Sequence, residues 1–542
     1  MSWRWTHLSC TVCHTLFCRS PSLTPDLSFS VFCAMRFALE PNSGPRNIGE
    51  NTDMLISVLV VIAAVGLAVQ ALIGLTFFIS SVREGESRAS VFAGFQFLGM
   101  LVVFAVFLVL ASSNFFHTGP GLFLLLLGYA AIGGAAFFLL RRTAPNPRAL
   151  QGAAGRIQGE VARFDERTQV FARNRSLRPE SDEYNRFYQE HPEYQQIDRR
   201  RREKGGPIGH PGIIDRPHEE ANVAMMLASQ SMCIYLSTPE KTAPQPHLHL
   251  REKVKERRVN LDPDEATRMV KGYARHLGAA LVGITEANPL WMYSHRGEIF
   301  HENWEDWGKE IRLDHKYVIV LAEEMSLEMI GSGPHTPTTV ESMNNYAKGA
   351  YISAQIAAFI ANLGYSAAAN HLRHYDGLMV PLAVDAGLGE LGRLGYLMTK
   401  EYGPRVRLSG VTTDLPLVSD KPVDIGVEDF CEICKKCSAC CPSGSIPMGG
   451  QTVVNGTLRW KLNEQTCFEY WGKVGTDCNV CMRVCPWSHA RTFPHRLIVS
   501  LIVRNRLARR IFSAMDDLFY GRKPKPKAPP NWVRFTEKER RE

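Results

Sequence analysis

The chain has 542 residues, 45% of them hydrophobic and 21% charged, with a formal net charge of +8. That length holds a large soluble domain and further segments, and a modest charge without one dominant basic patch argues against a nucleic-acid partner. Of fourteen cysteines, nine lie between Cys431 and Cys485, spaced for metal and not for a disulfide framework, which calls for a reducing compartment or protected export.

Residues 1–53 show no period and read as an unstructured leader or a start assigned too far upstream; Met54 is a plausible true start. Cys10 and Cys13 form a C-x-x-C without a second pair at zinc spacing. Three uncharged apolar stretches follow, at 54–80, 91–111 and 120–140, each long enough to cross a bilayer as a helix. Together they make residues 54–142 a three-helix transmembrane anchor. Arg83 and Arg88 follow the first stretch, and Arg141 and Arg142 follow the third, whereas "SSNFFHTGPG" between the second and third has neither Lys nor Arg. The arginine-rich side is expected to be cytoplasmic.

Residues 143–260 are the polar N-terminal part of the soluble domain, and "RRRREK" (199–204) reads as a solvated face or a lipid contact. From 261 to 425 the pattern is α/β, or α+β. "DPDEATRMVKGYARHLGA" predicts a helix capped by Asp262 or Asp264, with Met269, Tyr273, His276 and Leu277 near one face. "ALVGIT" and "YVIVLAEEM" predict strands, and 343–365 a long helix ended by Gly364. Together they suggest a layered core.

Two cysteine runs then occupy a domain at 426–490. Cys431, Cys434, Cys437 and Cys441 follow C-x2-C-x2-C-x3-C-P, the bacterial ferredoxin spacing, in which the fourth cysteine crosses to the other cluster. Cys478, Cys481 and Cys485 form a truncated copy, and Cys467 can supply the missing corner. The expected ligand sets are Cys431, Cys434, Cys437 and Cys485 for one [4Fe–4S] cluster and Cys441, Cys467, Cys478 and Cys481 for the other. Cys440 is left as a bystander. Two clusters make a wire for single electrons, so the rest of the chain must hold an acceptor. Glycines 387, 389, 392 and 395, in 381–417, permit close approach to a large cofactor. Their spacing is not a dinucleotide fingerprint.

The block "AGLGELGR…YGPRVRL…TDLPL", the full and truncated ferredoxin motifs, "CFEYW" and "DDLFYG" (516–521) resemble the corrinoid-dependent reductive dehalogenases over roughly residues 160–535. The resemblance implies a base-off cobalamin in a nitroreductase-like core, fed by two [4Fe–4S] clusters and removing halide from a small organohalide. Unlike exported respiratory members, the chain shows no twin-arginine leader and carries its own helices, which implies a multi-pass protein of the bacterial inner membrane with its catalytic domain in the cytoplasm. It also stops short of the flavin reductase domain fused to some cytoplasmic relatives.

The family pairs a catalytic tyrosine with a basic residue. Matched onto this chain they fall at Tyr346 and Arg407, with Tyr351, Tyr365 and Arg405 as rivals. A guanidinium beside a phenol, whose ordinary pKa is about 10, stabilises the phenolate left by proton donation. Gly387, Gly389, Gly392 and Asn370 are the candidate cobalamin contacts, and His371 is a further candidate for the pocket wall. The substrate expected is a halogenated phenol or hydroxybenzoate. The electron donor is open among ferredoxin, a flavoprotein and a quinol-linked source. Because 54–140 contains only His117, the helices read as a tether or protein dock ahead of a quinol site. The stretch 493–512 in the C-terminal helix and tail (491–542) reads as a membrane-surface or packed helix. Two rival classes are a soluble epoxyqueuosine reductase acting on transfer RNA and a membrane electron-transfer subunit without a corrinoid.

Overall fold

The computed structural model describes residues 48–203, 219–237 and 255–533. Cys10, Cys13, Cys18 and Cys33 lie outside them. Two compact units divide the chain: Met1–Leu72 with Leu98–Ile132, and Ile73–Phe97 with Gly133–Glu542.

Three helices, α1 (Ile48–Arg83), α2 (Ser87–Ser112) and α3 (Gly119–Leu140), are long and apolar enough to cross a membrane. Most of their apolar side chains point outward, Phe95 at 70% exposure and Val109 at 66%. Such a surface is costly in water and suited to lipid. In the first unit Ile56, Phe116 and Leu125 pack together, and Tyr129 donates to the Leu59 carbonyl at 2.7 Å. His117, in the joint, stands 3.3 Å from Asp53.

The second unit is built on a sheet of β1 (Leu281–Glu286), β2 (Tyr317–Glu324), β3 (Ala367–Asn370) and β4 (Val406–Thr413) in the order β1-β2-β4-β3, antiparallel throughout. Both faces are covered. On one, Ile284, Ile319, Leu321 and Val411 pack against α6 (Pro263–His276) and α7 (Pro337–Asn362), labels that follow α4 (Pro192–Glu203) and α5 (Glu219–Ser237). On the other, Val318, Val320 and Ala322 meet Leu382 and Ala383 of the short helix Met379–Asp385. Strands buried on both faces read as continuous apolar runs, which is why β2 was legible.

Asp262 caps α6 by accepting from the N–H of Asp264 and Glu265. Its buried stripe is Ala266, Val270 and Ala274, with Tyr273 and Leu277 packed beside them, while Met269 is 40% exposed. The sequence expectation had centred this face on the larger residues; small ones win because they let the helix lie close on the sheet. Helix α7 begins six residues before its expected start, with Pro337 in its first turn and a buried polar opening of Thr338, Thr339 and Ser342. That opening is polar because it hydrogen-bonds the loop before Val480, as described below.

Glu323 at the end of β2 is 1% exposed; it accepts from Ser409 Oγ at 2.9 Å, and burial pushes its carboxyl up to about 8. Since the folded state holds this proton more tightly than the unfolded chain, the stabilisation is complete below the ordinary value of 4.5 and is lost as pH rises through about 8. Thermal melts of the wild type are expected to weaken from pH 5 to pH 8, and Glu323→Gln to flatten that slope. Parallel slopes would place the titration elsewhere.

The cysteine-rich segment folds as α8 (Val427–Cys434), a short helix Lys436–Cys440, a hairpin (Thr452–Val454 with Thr457–Arg459), α9 (Glu464–Val474) and a turn of helix at Val480–Arg483. Helices α10 (Phe493–Arg504) and α11 (Arg506–Tyr520) close over it, Ile502 and Ala508 joining Cys431, Cys434, Cys437 and Cys485 in one buried cluster. The stretch 493–512 is thus packed. Its Asn505 donates to the carbonyls of Phe138 at 2.7 Å and Arg141 at 2.6 Å, and Arg88 donates to the Leu518 carbonyl at 2.8 Å. The cytoplasm-expected ends of α2 and α3 are therefore tied to the C-terminal helices.

Candidate active site

A cavity of about 730 Å³ opens between α7, β4, α9 and the segment Gly377–Pro381. Tyr346 of α7 and Arg407 of β4 both line it. One turn separates Ser342 from Tyr346, so both face the strand, and Arg407 is reached from the same side because Arg407, Ser409 and Val411 alternate toward α7. The Arg407 guanidinium carbon sits 5.2 Å from the centroid of the Tyr346 ring. Its Nη2 donates to Ser342 Oγ at 2.7 Å and lies 3.4 Å from Asp477 Oδ2, while its buried Nε has no hydrogen-bond partner among the described residues. Burial pushes this guanidinium down, but Tyr346, Asp477, Tyr396 and Tyr375 around it leave its pKa above the ordinary arginine value.

The rivals are placed elsewhere. Tyr351 is 45% exposed, and Tyr365 sits in the core donating to the Val259 carbonyl at 3.1 Å. Arg405 is buried against Ser488 and Glu324 and does not line the cavity. Asn370 spends its side chain on its own loop, accepting from the Asp376 N–H at 2.6 Å and donating to the Ala368 carbonyl at 3.1 Å. Gly387, Gly389 and Gly392 do not line the cavity either; Gly395 does. Gly387 is a packing glycine: its φ is +72° and a Cβ there would meet the Lys421 carbonyl oxygen at 2.4 Å. His371 is fully buried beside the cavity wall, and burial pushes its pKa down to about 4.

Several lining residues carried little signal in the sequence. Arg175 lies over the Phe171 ring at 4.5 Å and the Phe468 ring at 5.2 Å, and Arg201 lies over the other reach of Phe468 at 3.9 Å. Arg201 belongs to the "RRRREK" run, so that run is not simply a solvated face. Arg199 is exposed, but Arg201 is buried, and Arg202 hydrogen-bonds the hydroxyls of Tyr184 and Tyr188, each at 3.0 Å. The helical repeat turns one edge of the run inward onto aromatic rings. Arg373 completes the group, 3.9 Å from Glu298, its guanidinium pushed down to about 10 by burial and by Arg175. Only the fold brings these arginines together.

Eight of the cysteines gather in two places. Cys441, Cys467, Cys478 and Cys481 line one small cavity with Tyr396, Trp471 and Asp477. Those last three also line the large cavity, so the two are neighbours through shared walls. In the other group, burial and then Cys431, Cys437 and Cys434 push the Cys485 thiol well up. The thiols of Cys437, Cys467 and Cys478 are each pushed up to about 12, chiefly by burial. All are free of disulfides, and among the described residues no three His, Cys, Asp or Glu side chains close on a single ion. Crowded buried thiols around a cavity suit a polynuclear iron–sulfur core, which supplies the cations that buried thiolates need. Cys440 points away, its Sγ 3.3 Å from the Arg522 carbonyl.

Two of the motif blocks hold this arrangement in place. Arg393, from "GELGR", is fully buried and donates to the carbonyls of Cys431 at 3.0 Å, Pro447 at 2.9 Å and Gly449 at 2.6 Å. Asp516, from "DDLFYG", is buried between Lys436 and His489. Asp477 joins the cysteine loop to the large cavity, accepting from Thr339 at 3.0 Å and from Ser342, which in turn accepts from Arg407.

Comparison with known proteins finds reductive dehalogenases. The chain is 35% identical over 293 residues to a tetrachloroethene reductive dehalogenase of Sulfurospirillum multivorans, covering 48% of this chain and 58% of that protein. It is 35% identical over 275 residues to one of Dehalobacter restrictus, covering 43% of this chain and 50% of that protein. A solved reductive dehalogenase whose structure suggests a mechanism for B12-dependent dehalogenation superposes with a TM-score of 0.54 at 26% identity, over 71% of this chain and 49% of that one. This chain is similar to reductive dehalogenases in sequence and in structure. It spans between half and three fifths of the length of these curated relatives. No family model matches it. An epoxyqueuosine reductase of Lactococcus garvieae is 32% identical over 114 residues, only 20% of this chain and 31% of that protein. Beside this similarity the chain carries, among the described residues, three apolar helices long enough to cross a membrane.

Proposed function

We propose that this chain is a reductive dehalogenase, anchored by α1–α3, that holds two [4Fe–4S] clusters and a base-off cobalamin and removes halide from an anionic halogenated aromatic. The observation that carries the reading is the Tyr346–Arg407 pair in a large cavity that shares Tyr396, Trp471 and Asp477 with a cysteine-lined one. The antiparallel sheet covered by helices on both faces supports a nitroreductase-like core. Gly377–Pro381, Gly395–Leu397 and Val406–Leu408 offer a wall of backbone and small or apolar side chains that fits a large planar cofactor. Cys431, Cys434, Cys437 and Cys485 would bind one cluster and Cys441, Cys467, Cys478 and Cys481 the second.

When bound, the corrinoid supplies the low-valent metal chemistry that breaks the carbon–halogen bond, with electrons delivered singly through the clusters. The net change is R–X + 2e⁻ + H⁺ → R–H + X⁻. The protein supplies the proton and the setting. Tyr346 Oη holds the proton and gives it to the carbon that loses halide. Arg407 stabilises the phenolate that remains, and Ser342 and Asp477 fix Arg407 in place. Arg175 and Arg373 give the cavity a cationic side, which suits a phenolate or benzoate. One solved relative is described in complex with 3-bromo-4-hydroxybenzoic acid. Arg83, Arg88, Arg141 and Arg142 at the helix ends favour a cytoplasmic catalytic unit.

The test is anaerobic extraction from membranes of cells supplied with cobalamin, with cobalt and iron measured per chain and halide release measured on brominated phenols. Near one cobalt, about eight irons and released bromide are expected. Iron without cobalt would leave an electron-transfer subunit as the better reading.

A further inference from the structure

A second cavity, of about 490 Å³, shares no lining residue with the Tyr346 cavity and is not used by the reaction above. Phe512, Met515 and Phe519 of α11 form part of its wall. Ile73, Gly74 and Phe77 belong to α1 and Gln96 to α2, the two helices suited to lipid. Leu497, Ile498 and Leu501 belong to the apolar side of α10. Phe430 and Trp487 form the inner wall; one precedes Cys431 and the other follows Cys485 by two residues, and their rings meet edge to face at 5.7 Å.

The inner end is polar. His489 Nε2 pairs with the buried Asp516 at 2.6 Å, which turns His489 Nδ1 into the hydrogen-bond acceptor. The rings of His489 and His495 stack at 5.0 Å, and His495 Nε2 lies 2.8 Å from Tyr520 Oη. His495 is 7% exposed and burial holds it neutral. A cavity with lipid-suited walls, a carboxylate-oriented histidine and a cluster-ligand segment as its floor matches one ligand chemistry: a hydrophobic tail on a ring that gives up protons and electrons together. Residues 54–140 contain no histidine pair; the fold instead places His489 and His495 beside Phe77 of α1, whose ring is 6.0 Å from His495.

We propose that this cavity binds an isoprenoid quinol and is the site where electrons enter. The step balances as QH2 + 2 oxidised clusters → Q + 2H⁺ + 2 reduced clusters. His489 Nδ1 accepts one hydroxyl proton, and the electrons pass singly to the cluster of Cys431, Cys434, Cys437 and Cys485. From there they reach the second cluster, whose cysteines share walls with the Tyr346 cavity. The proposal rests on the two-cluster reading of the insert, so its test includes a readout that needs no cluster.

The full chain in lipid nanodiscs is irradiated with an azido-benzoquinone bearing a decyl tail, and labelled peptides are mapped by mass spectrometry. Labelling is expected within 486–502 and is expected to fall at least fivefold with excess unlabelled decyl-benzoquinone or in Leu497→Trp, which fills the cavity. In the iron-loaded chain, decyl-benzoquinol under anaerobic conditions is expected to bleach the cluster absorbance at least tenfold faster in wild type than in His489→Gln. Dithionite should bleach both equally, which shows that the clusters are present and that the variant has folded. Labelling that unlabelled quinone does not displace would mean a cavity filled by acyl chains and would overturn the site. Specific labelling without bleaching by the quinol, where dithionite succeeds, would overturn electron entry there. Failure of dithionite itself would instead sink the two-cluster reading and this proposal with it.

Discussion

Tyr346→Phe is expected to lower halide release by roughly 100-fold or more, the usual range for loss of a general acid, with cobalt and iron content unchanged. The phenol oxygen is the only atom removed, and the ring that packs beneath Arg407 stays. Two other tyrosines of the same segment serve as controls. Tyr351→Phe alters a side chain that is 45% exposed and should leave both rate and stability as they are. Tyr365→Phe loses the hydrogen bond to the Val259 carbonyl and should cost about 1 kcal/mol of stability without a comparable loss of rate. Arg407→Lys keeps a charge but gives up the fork that joins Ser342 and Asp477, so its rate should fall further than its stability. A Tyr346→Phe enzyme with wild-type turnover at full cofactor loading would remove Tyr346 from the chemistry.

The second large effect concerns metal content. Cys485→Ala and Cys441→Ala are each expected to lower iron from about eight to about four per chain, but by removing different clusters. The structure groups Cys485 with Cys431, Cys434 and Cys437, and Cys441 with Cys467, Cys478 and Cys481. Cys441→Ala removes the cluster beside Tyr396 and the large cavity, so it should abolish reduction of the cofactor even with dithionite-reduced partner clusters. Cys485→Ala spares that cluster and should retain part of the dithionite-driven activity while losing the quinol-driven one. Cys440→Ala changes neither, since its sulfur faces the Arg522 carbonyl. Equal iron in all three variants would dissolve the assigned ligand sets.

What was legible in the sequence was whatever depends on neighbours along the chain. Three uncharged stretches of helix length announce the lipid-suited helices, because hydropathy is a local sum. The ferredoxin spacing announces the cysteines, because a thiolate trio must wrap one core from a short loop. Strand β2 and the cap at Asp262 were readable for the same reason.

What the tertiary structure alone decided was which distant side chains share a wall. Ser342 and Asp477 stand 135 positions apart, and Arg175 precedes the sheet whereas Arg373 follows β3, yet they line the cavity that holds Tyr346. The glycines went the other way: Gly387, Gly389 and Gly392 promised cofactor contact by type, but their space is filled by the carbonyl oxygens of Lys421 and Met398 and by the Met398 side chain. Likewise the basic run at 199–204 looked like a surface until the helical repeat turned Arg201 onto Phe468. Burial is a property of packing, and neither a residue's type nor its near neighbours state what the rest of the chain will lay against it.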